Sequence, residues 1–318
     1  MTTSTSTDQF DRPLLGISLM LGFCLLIPFG DALAKLLGPY LSVVQLLTLR
    51  FAIQGLILLP IVALTGRPWR ASGKTLALII LRTFMLILGI GLMFTSLLYL
   101  PLADAVAIAF VMPFIMLLLG HWFLKEEVGL RRLNACLVGF IGTLLIIQPA
   151  FAEVGWAALL PLGVALDFAL FMLVTRQISA TTDPIGMQAL SVPIALLVLI
   201  PLHFLPLDLP ALDWVWPSLD IWGLVLIMGC VGTVGHLLMT WSLRYAPTST
   251  LAPMQYLEIP AATLVGWMIF GDLPGPLASL GIAITIAAGL YIILRERAML
   301  KARSATRPEP DQAPPAAE

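Results

Sequence analysis

The chain has 318 residues, of which 59% are hydrophobic and 11% charged, and its mean hydropathy is +0.99. A soluble domain carries about 25% charged residues, so this composition excludes one and indicates a polytopic membrane protein. The net charge of −1 gives no footing for nucleic-acid binding, and the three cysteines (Cys24, Cys136, Cys230) lie in apolar runs without a CxxC pair, which leaves neither a disulfide framework nor a zinc site.

Residues 1–13 (MTTSTSTDQFDRP) are polar, lack the basic region of a signal peptide and read as a disordered tail. The chain then breaks into apolar runs of the length a helix needs to cross a bilayer, about 20 residues. The runs cover 14–37, 42–64, 75–98, 103–123, 133–149, 155–176, 185–205, 219–242, 248–270 and 275–294. Short connections carrying Gly or Pro (Gly38-Pro39, Pro101, Pro149, Pro184, Pro247, Gly271 to Gly275) make successive helices antiparallel neighbours. Residues 299–318 are rich in Pro, Ala and charge and read as a second disordered tail.

Lys and Arg mark the sides of the membrane. Arg12 precedes the first run; Arg67, Arg70 and Lys74 follow the second; Lys125, Arg131 and Arg132 follow the fourth. Arg176 follows the sixth, Arg244 the eighth, and Arg295, Arg297, Lys301, Arg303 and Arg307 the tenth. The alternate connections hold Glu153, Asp208, Asp213 and Asp272 but no Lys or Arg. This alternation predicts ten transmembrane helices with both termini cytoplasmic.

The two halves share a frame. Tyr99-Leu-Pro recurs as Tyr245-Ala-Pro, Pro113 as Pro260 and Gly142 as Gly289, and Glu126 falls within a residue of Asp272, at an offset of about 147 residues. Asp31 in the first run is echoed by Asp167 in the sixth. Each half holds five runs, an odd number, so the second enters the membrane upside down. The expected fold is an all-α polytopic membrane protein of two inverted five-helix repeats, 14–149 and 155–295. Secondary transporters are often built this way, with the substrate near the midplane between the halves.

Polar residues inside the runs point the same way. Asp31, Arg50, Arg82, Asp167 and Glu258 carry formal charge, and each would cost about 2.5–3.5 kcal/mol at mid-membrane. The sum, roughly 12–17 kcal/mol, is as large as a whole protein's stability of about 5–15 kcal/mol, so most of them face one another or a wet cavity. Thr233, His236 and Thr240 form one stripe on the eighth run, and Gln255 and Glu258 are three apart on the ninth. Asp31 and Lys35, four apart, can form a local ion pair. Arg50 and Arg82 neutralise buried acids or snorkel to the headgroups. Asp104 is placed to cap the fourth helix, and His236 to serve as a packing hydrogen-bond group or a proton relay. Glu258 and Asp167 have no basic residue one turn away on their own helices, so their partner is another helix, water or substrate. Glu126 and Glu127 read as a solvated charge cluster. Pro28, Pro113, Pro161, Pro193 and Pro260 favour kinks, with Pro113 and Pro260 as a matched pair. Gly281, Thr285 and Gly289, and Ala135 with Gly139, let helices approach closely.

Taken together, the Arg50 segment LRFAIQG, the YLPLADAVAI opening of the fourth run, Pro113 with the Glu126-Glu127 exit, and GFIGTLLIIQP with its weaker copy FGDLPGPLASLGIAITIAAGLYII resemble the drug/metabolite transporter superfamily in its EamA-domain branch. The resemblance covers residues 14–295, and in form the motifs are most similar to bacterial members that take up S-adenosylmethionine or riboflavin. Asn134 departs from the pattern, standing where the repeat places a Gly opposite Gly281. The resemblance implies a central cavity from runs 1, 3, 4, 6, 8 and 9, with Phe29, Phe110, Phe168, Trp241 and Tyr256 available for stacking. It implies a secondary transporter in the cell (inner) membrane that moves a small organic metabolite (S-adenosylmethionine, riboflavin, an amino acid or a related compound) by alternating access; the alternatives are an exporter of the same fold and, in another class, a membrane-embedded enzyme. The residues expected to bind substrate or couple transport are Glu258, Asp167, His236, Gln255, Asp31, Arg82, Arg50, Thr240, Tyr256 and Trp241. No catalytic motif, metal or cofactor is expected; the partners are the metabolite and the lipid bilayer, with room for a homodimer.

Overall fold

The computed structural model describes residues 13–112, 114–115, 130–179, 182–205, 209, 212–246, 251 and 255–305. Their regular elements are helices: α1 (Pro13–Leu37), α2 (Val43–Thr65), α3 (Gly73–Leu97), α4 (Leu102–Ala109), α5 (Leu130–Val154), α6 (Leu160–Ser179), α7 (Pro184–Leu202), α8 (Leu219–Tyr245), α9 (Glu258–Phe270) and α10 (Pro276–Ala305). Among the described residues, six helical stretches are long and apolar enough to cross a membrane. Burial is inverted relative to a soluble protein. Leu56 and Leu197 are 75% and 77% exposed, whereas Arg82, Gln45 and Thr240 are wholly buried. Leucine outside and guanidinium inside is the arrangement lipid demands, and the chain is a multi-pass membrane protein.

Local chemistry sets the helix ends. The Ser42 hydroxyl accepts from the Gln45 amide at 3.2 Å to start α2. Asp183 accepts from the Gly186 amide at 2.9 Å to start α7, with Pro184 at the first helical position, where no amide is missed. Gly271 ends α9 in the left-handed region, φ 72°. Three expectations are corrected here. Pro149 does not end the fifth run; α5 passes through it to Val154, and the chain breaks instead at Gly155, whose φ of 64° and following 3₁₀ turn (Gly155–Leu159) separate α5 from α6. Pro161 makes no kink, because it lies in the first turn of α6. Residues 299–305 are not a tail but the last turns of α10.

The fourth and ninth runs are interrupted. α4 stops at Ala109 and is followed by turn residues Phe110 and Val111, while turn residues Tyr256 and Leu257 precede α9. Pro260 has no N–H for the Tyr256 carbonyl four residues back, and its ring crowds that carbonyl. Pro113 stands four residues after Ala109, but it lies outside the described residues, as do Lys125, Glu126, Glu127, Pro247 and the side chains of Arg131 and Arg132. The two breaks match in the repeat frame and meet in space, with the Phe110 and Tyr256 rings 5.4 Å apart.

Helix pairing follows the same symmetry. α1 packs along α8 and α3 along α6; α2 packs on α7, α4 on α9 and α5 on α10. Exchanging the two halves, each helix for the one five further on, returns the same set of pairs. Small residues permit the closest contacts. A Cβ on Gly142 of α5 would lie 2.7 Å from the Thr285 hydroxyl and 2.9 Å from the Gly281 carbonyl of α10. The breaks in the fourth and ninth runs, and the helices α1, α3, α6 and α8, surround a space in the middle of the molecule.

Candidate functional site

The central space is a cavity of about 120 Å³, counted at the centres of water-sized molecules. One water needs about 10–15 Å³ on that measure, so the cavity takes far more than a structural water. Helical spacing builds its walls. Phe23, Ile27 and Gly30–Asp31 line it from α1, Met85, Gly89 and Met93 from α3, and Met228, Gly232 and His236 from α8. These steps of three and four residues keep one helix face turned inward.

Five of the expected side chains, all buried, reach this cavity: Asp31, Arg50, Asp167, His236 and Gln255. Glu258 lines it too, from the first turn of α9, where free backbone amides and the helix dipole favour a carboxylate. The Arg50 guanidinium lies flat on α8. Its Nη2 donates to the Gly232 carbonyl at 3.4 Å, Nη1 has no partner, and a Cβ on Gly232 would stand 2.7 Å from Nε. Asp167 rests in the same way on α3, where its carboxylate occupies the place a Gly89 side chain would take. Each of two helices that correspond in the repeat, α3 and α8, thus offers a glycine to a charged group of a neighbouring helix.

The other expected residues stand elsewhere. Arg82 and Thr240 are buried one turn beyond the cavity, Arg82 against Thr175 (Nε to Oγ1, 3.0 Å) and Thr240 accepting from Gln188 Nε2 at 3.3 Å. Tyr256 is turned into the core formed by α4, α5 and α9, and Trp241 packs beside Leu58, Val62 and Ala189. Phe29 is 45% exposed on the lipid-facing side. Phe110 and Phe168 do line the cavity, joined by Phe23, Phe94 and Phe171, which only the three-dimensional arrangement selects. The local Asp31–Lys35 pair does not form. Lys35 Nζ bonds Asp272 at 3.4 Å and donates to the Leu100 carbonyl at 3.0 Å, because the far end of α1 meets the connection after α9. Asp104 makes no side-chain cap on α4, and its Oδ1 is buried without a hydrogen bond. Thr233 and Thr240 return their hydroxyls to backbone carbonyls four residues back, so the eighth-run stripe presents only His236 to the cavity.

Comparison with known proteins agrees with this geometry. Residues 14–148 and again 155–295 match the EamA-like transporter family. The chain belongs to that family. Among curated proteins it is similar to a riboflavin transporter of Rhizobium johnstonii, 30% identical over 73% of this chain and 72% of that one. It is also similar to an S-adenosylmethionine uptake transporter of Rickettsia bellii, 26% identical over 84% and 89%. A crystal structure superposes with a TM-score of 0.60 at 18% identity, over 91% of this chain and 99% of the other, a likeness of fold alone. As an EamA-like transporter, the chain carries its buried charges in a cavity lined by both of its matched halves.

Proposed function

We propose that the protein is a secondary carrier of the cell (inner) membrane that moves a planar heteroaromatic metabolite with a polar tail, S-adenosylmethionine or riboflavin being the leading candidates. The observation that carries this reading is the composition of the cavity. Rings of Phe23, Phe94, Phe110, Phe168 and Phe171 line one space together with Asp31, Arg50, Asp167 and Glu258. Aromatic walls stack a flat ring, and a few charged groups fix its polar substituents. The carrier works by alternating access: ten spans form two inverted repeats (14–149 and 155–295) with both termini cytoplasmic. The matched breaks at Phe110–Val111 and Tyr256–Leu257 are the joints on which the halves rock, as in carriers with discontinuous helices. Glu258 and Asp167 hold the substrate or the coupling proton.

The test is transport in proteoliposomes with labelled riboflavin and S-adenosylmethionine, supported by a thermal-shift screen that includes amino acids. Saturable flux of one of them is expected, and its direction separates uptake from export. Glu258→Gln and Asp167→Asn are expected to lose that flux while eluting as folded protein. Wild-type flux in both variants removes these residues from the mechanism, and absence of flux and of thermal shift with every solute rejects the substrate class.

A further inference from the structure

One turn beyond the cavity, toward the helix ends that carry the basic loops, buried polar side chains form a layer. Gln54 follows Arg50 on α2, Arg82 precedes Met85 on α3, Thr175 follows Phe171 on α6, and Thr240 follows His236 on α8; α7 adds Gln188 and Ser191. Neutral bonds tie much of it together. Gln54 Nε2 donates to the Gln188 carbonyl at 3.0 Å, and Gln188 Nε2 to the His236 carbonyl at 3.4 Å.

Arg82 is different in kind. Its Nε donates to Thr175 Oγ1 at 3.0 Å and its Nη1 to Ser191 Oγ at 3.5 Å, while Nη2 has no partner. Both partners are neutral, and among the described residues no carboxylate forms an ion pair with it. The guanidinium is wholly buried and lies 4.7 Å from the centroid of the Phe171 ring, which is itself part of the cavity wall. A tie between α3, α6 and α7 needs only neutral donors of the Gln188 kind. A buried cation is costly unless an anion meets it, and the outer edge of a guanidinium, Nη1 with Nη2, is shaped for a carboxylate.

We propose that Arg82 is an inner anion subsite of the carrier, covered by Phe171 in this conformation and taking a substrate carboxylate, which S-adenosylmethionine carries and riboflavin lacks, when the cavity opens toward the basic loops. The proposal rests on the carrier reading of the cavity. In the opposite conformation the Phe171 ring leaves the guanidinium, water enters, and Nη1 and Nη2 exchange a weak bond and an empty position for two carboxylate oxygens. Arg50, which lines the cavity and whose Nη1 is buried without a hydrogen bond, is the corresponding anion contact before the transition.

The test needs no identified substrate. Ser191→Cys is introduced into a chain whose Cys24, Cys136 and Cys230 are replaced by Ser. It is treated with sulfonatoethyl and trimethylammonioethyl methanethiosulfonate in inside-out and right-side-out vesicles. Labelling is expected only from the basic-loop side, with the anionic reagent at least tenfold faster than the cationic one after correction for free-thiol rates, and acetate is expected to slow it. Arg82→Gln should abolish the bias, Arg82→Lys should keep part of it, and Phe171→Ala should open the site to labelling from the other side. No labelling from either side, equal rates for the two reagents, or an unchanged bias in Arg82→Gln overturns the subsite. Flux of S-adenosylmethionine and riboflavin is measured in parallel: flux of S-adenosylmethionine without the bias removes the subsite and leaves the carrier, flux of riboflavin alone detaches Arg82 from the substrate, and the bias without flux of either leaves an anion site and rejects both substrates.

Discussion

Replacing Gly89 by alanine isolates the setting of Asp167. Gly89 lies in the interior of α3, and an ideal Cβ there overlaps Asp167 Oδ2 and stands 3.4 Å from its carboxylate carbon. Two terms oppose each other. Alanine is favoured over glycine in a helix interior by roughly 0.5–1 kcal/mol. Forcing an extra methyl into packed surroundings costs about 1–3 kcal/mol. The net is a destabilisation of about 0–2.5 kcal/mol, small enough that the protein folds with its carboxylate displaced. The overlap disappears when Asp167 is also replaced by alanine, so in that background Gly89→Ala should be neutral or stabilising. The difference between backgrounds is then the overpacking term, about 1–3 kcal/mol. Gly163→Ala is the control on the same α3–α6 contact, because its Cβ meets only the mobile tip of Leu92 at 3.2 Å. Thermal melting of the purified protein in detergent measures all four members of the cycle, and proteoliposome flux follows the same variants. Flux should fall in Gly89→Ala and persist in Gly163→Ala. An equal melting penalty for Gly89→Ala with and without Asp167 would refute the placement of this carboxylate over α3.

Gly232→Ala is expected to act through Arg50: its Cβ would stand 2.7 Å from Nε, a flexible tip that can retreat, so melting should change little while flux falls as in Arg50→Gln. Flux unaffected by Gly232→Ala would detach Arg50 from α8. Gly142→Ala presses on a backbone carbonyl, that of Gly281 at 2.9 Å, as well as on Thr285, so relief requires α5 and α10 to part. A loss of about 1–3 kcal/mol is expected, read as a lowered melting temperature, and a melt like the parent protein's would show that the two helices are not in register there.

Much of the fold is legible in the chain because lipid leaves few options. A helix is the simplest way for an isolated apolar segment to satisfy its backbone in hydrocarbon, so run length locates α1, α2, α3, α7 and α8 closely. Prolines are less informative, since their effect depends on place: Pro149 passes unnoticed inside α5 and Pro161 is harmless in a first turn, whereas Pro260 stands four residues beyond a break. Missed at the site were the cavity-lining Phe23, Phe94, Gly89 and Gly232. Glycines and phenylalanines are common in any apolar span, and only their spacing in steps of three and four hinted at a shared face.

The sequence by itself determined which side chains are too costly to face lipid, and with them that most of Asp31, Arg50, Arg82, Asp167 and Glu258 face one another or a wet cavity. It also determined the shared frame of the halves, because repeat-related prolines and glycines recur in order. Only the tertiary structure decided who meets whom. Lys35 takes Asp272 and not Asp31, and Arg82 lies one turn beyond the cavity while Arg50 lies in it. Tyr256 turns into the core although its neighbour Gln255 faces the cavity. The reason is geometric: spacing along one helix sets which residues share a face, but the neighbour presented to that face, and its height along the membrane normal, come from packing against helices distant in the chain.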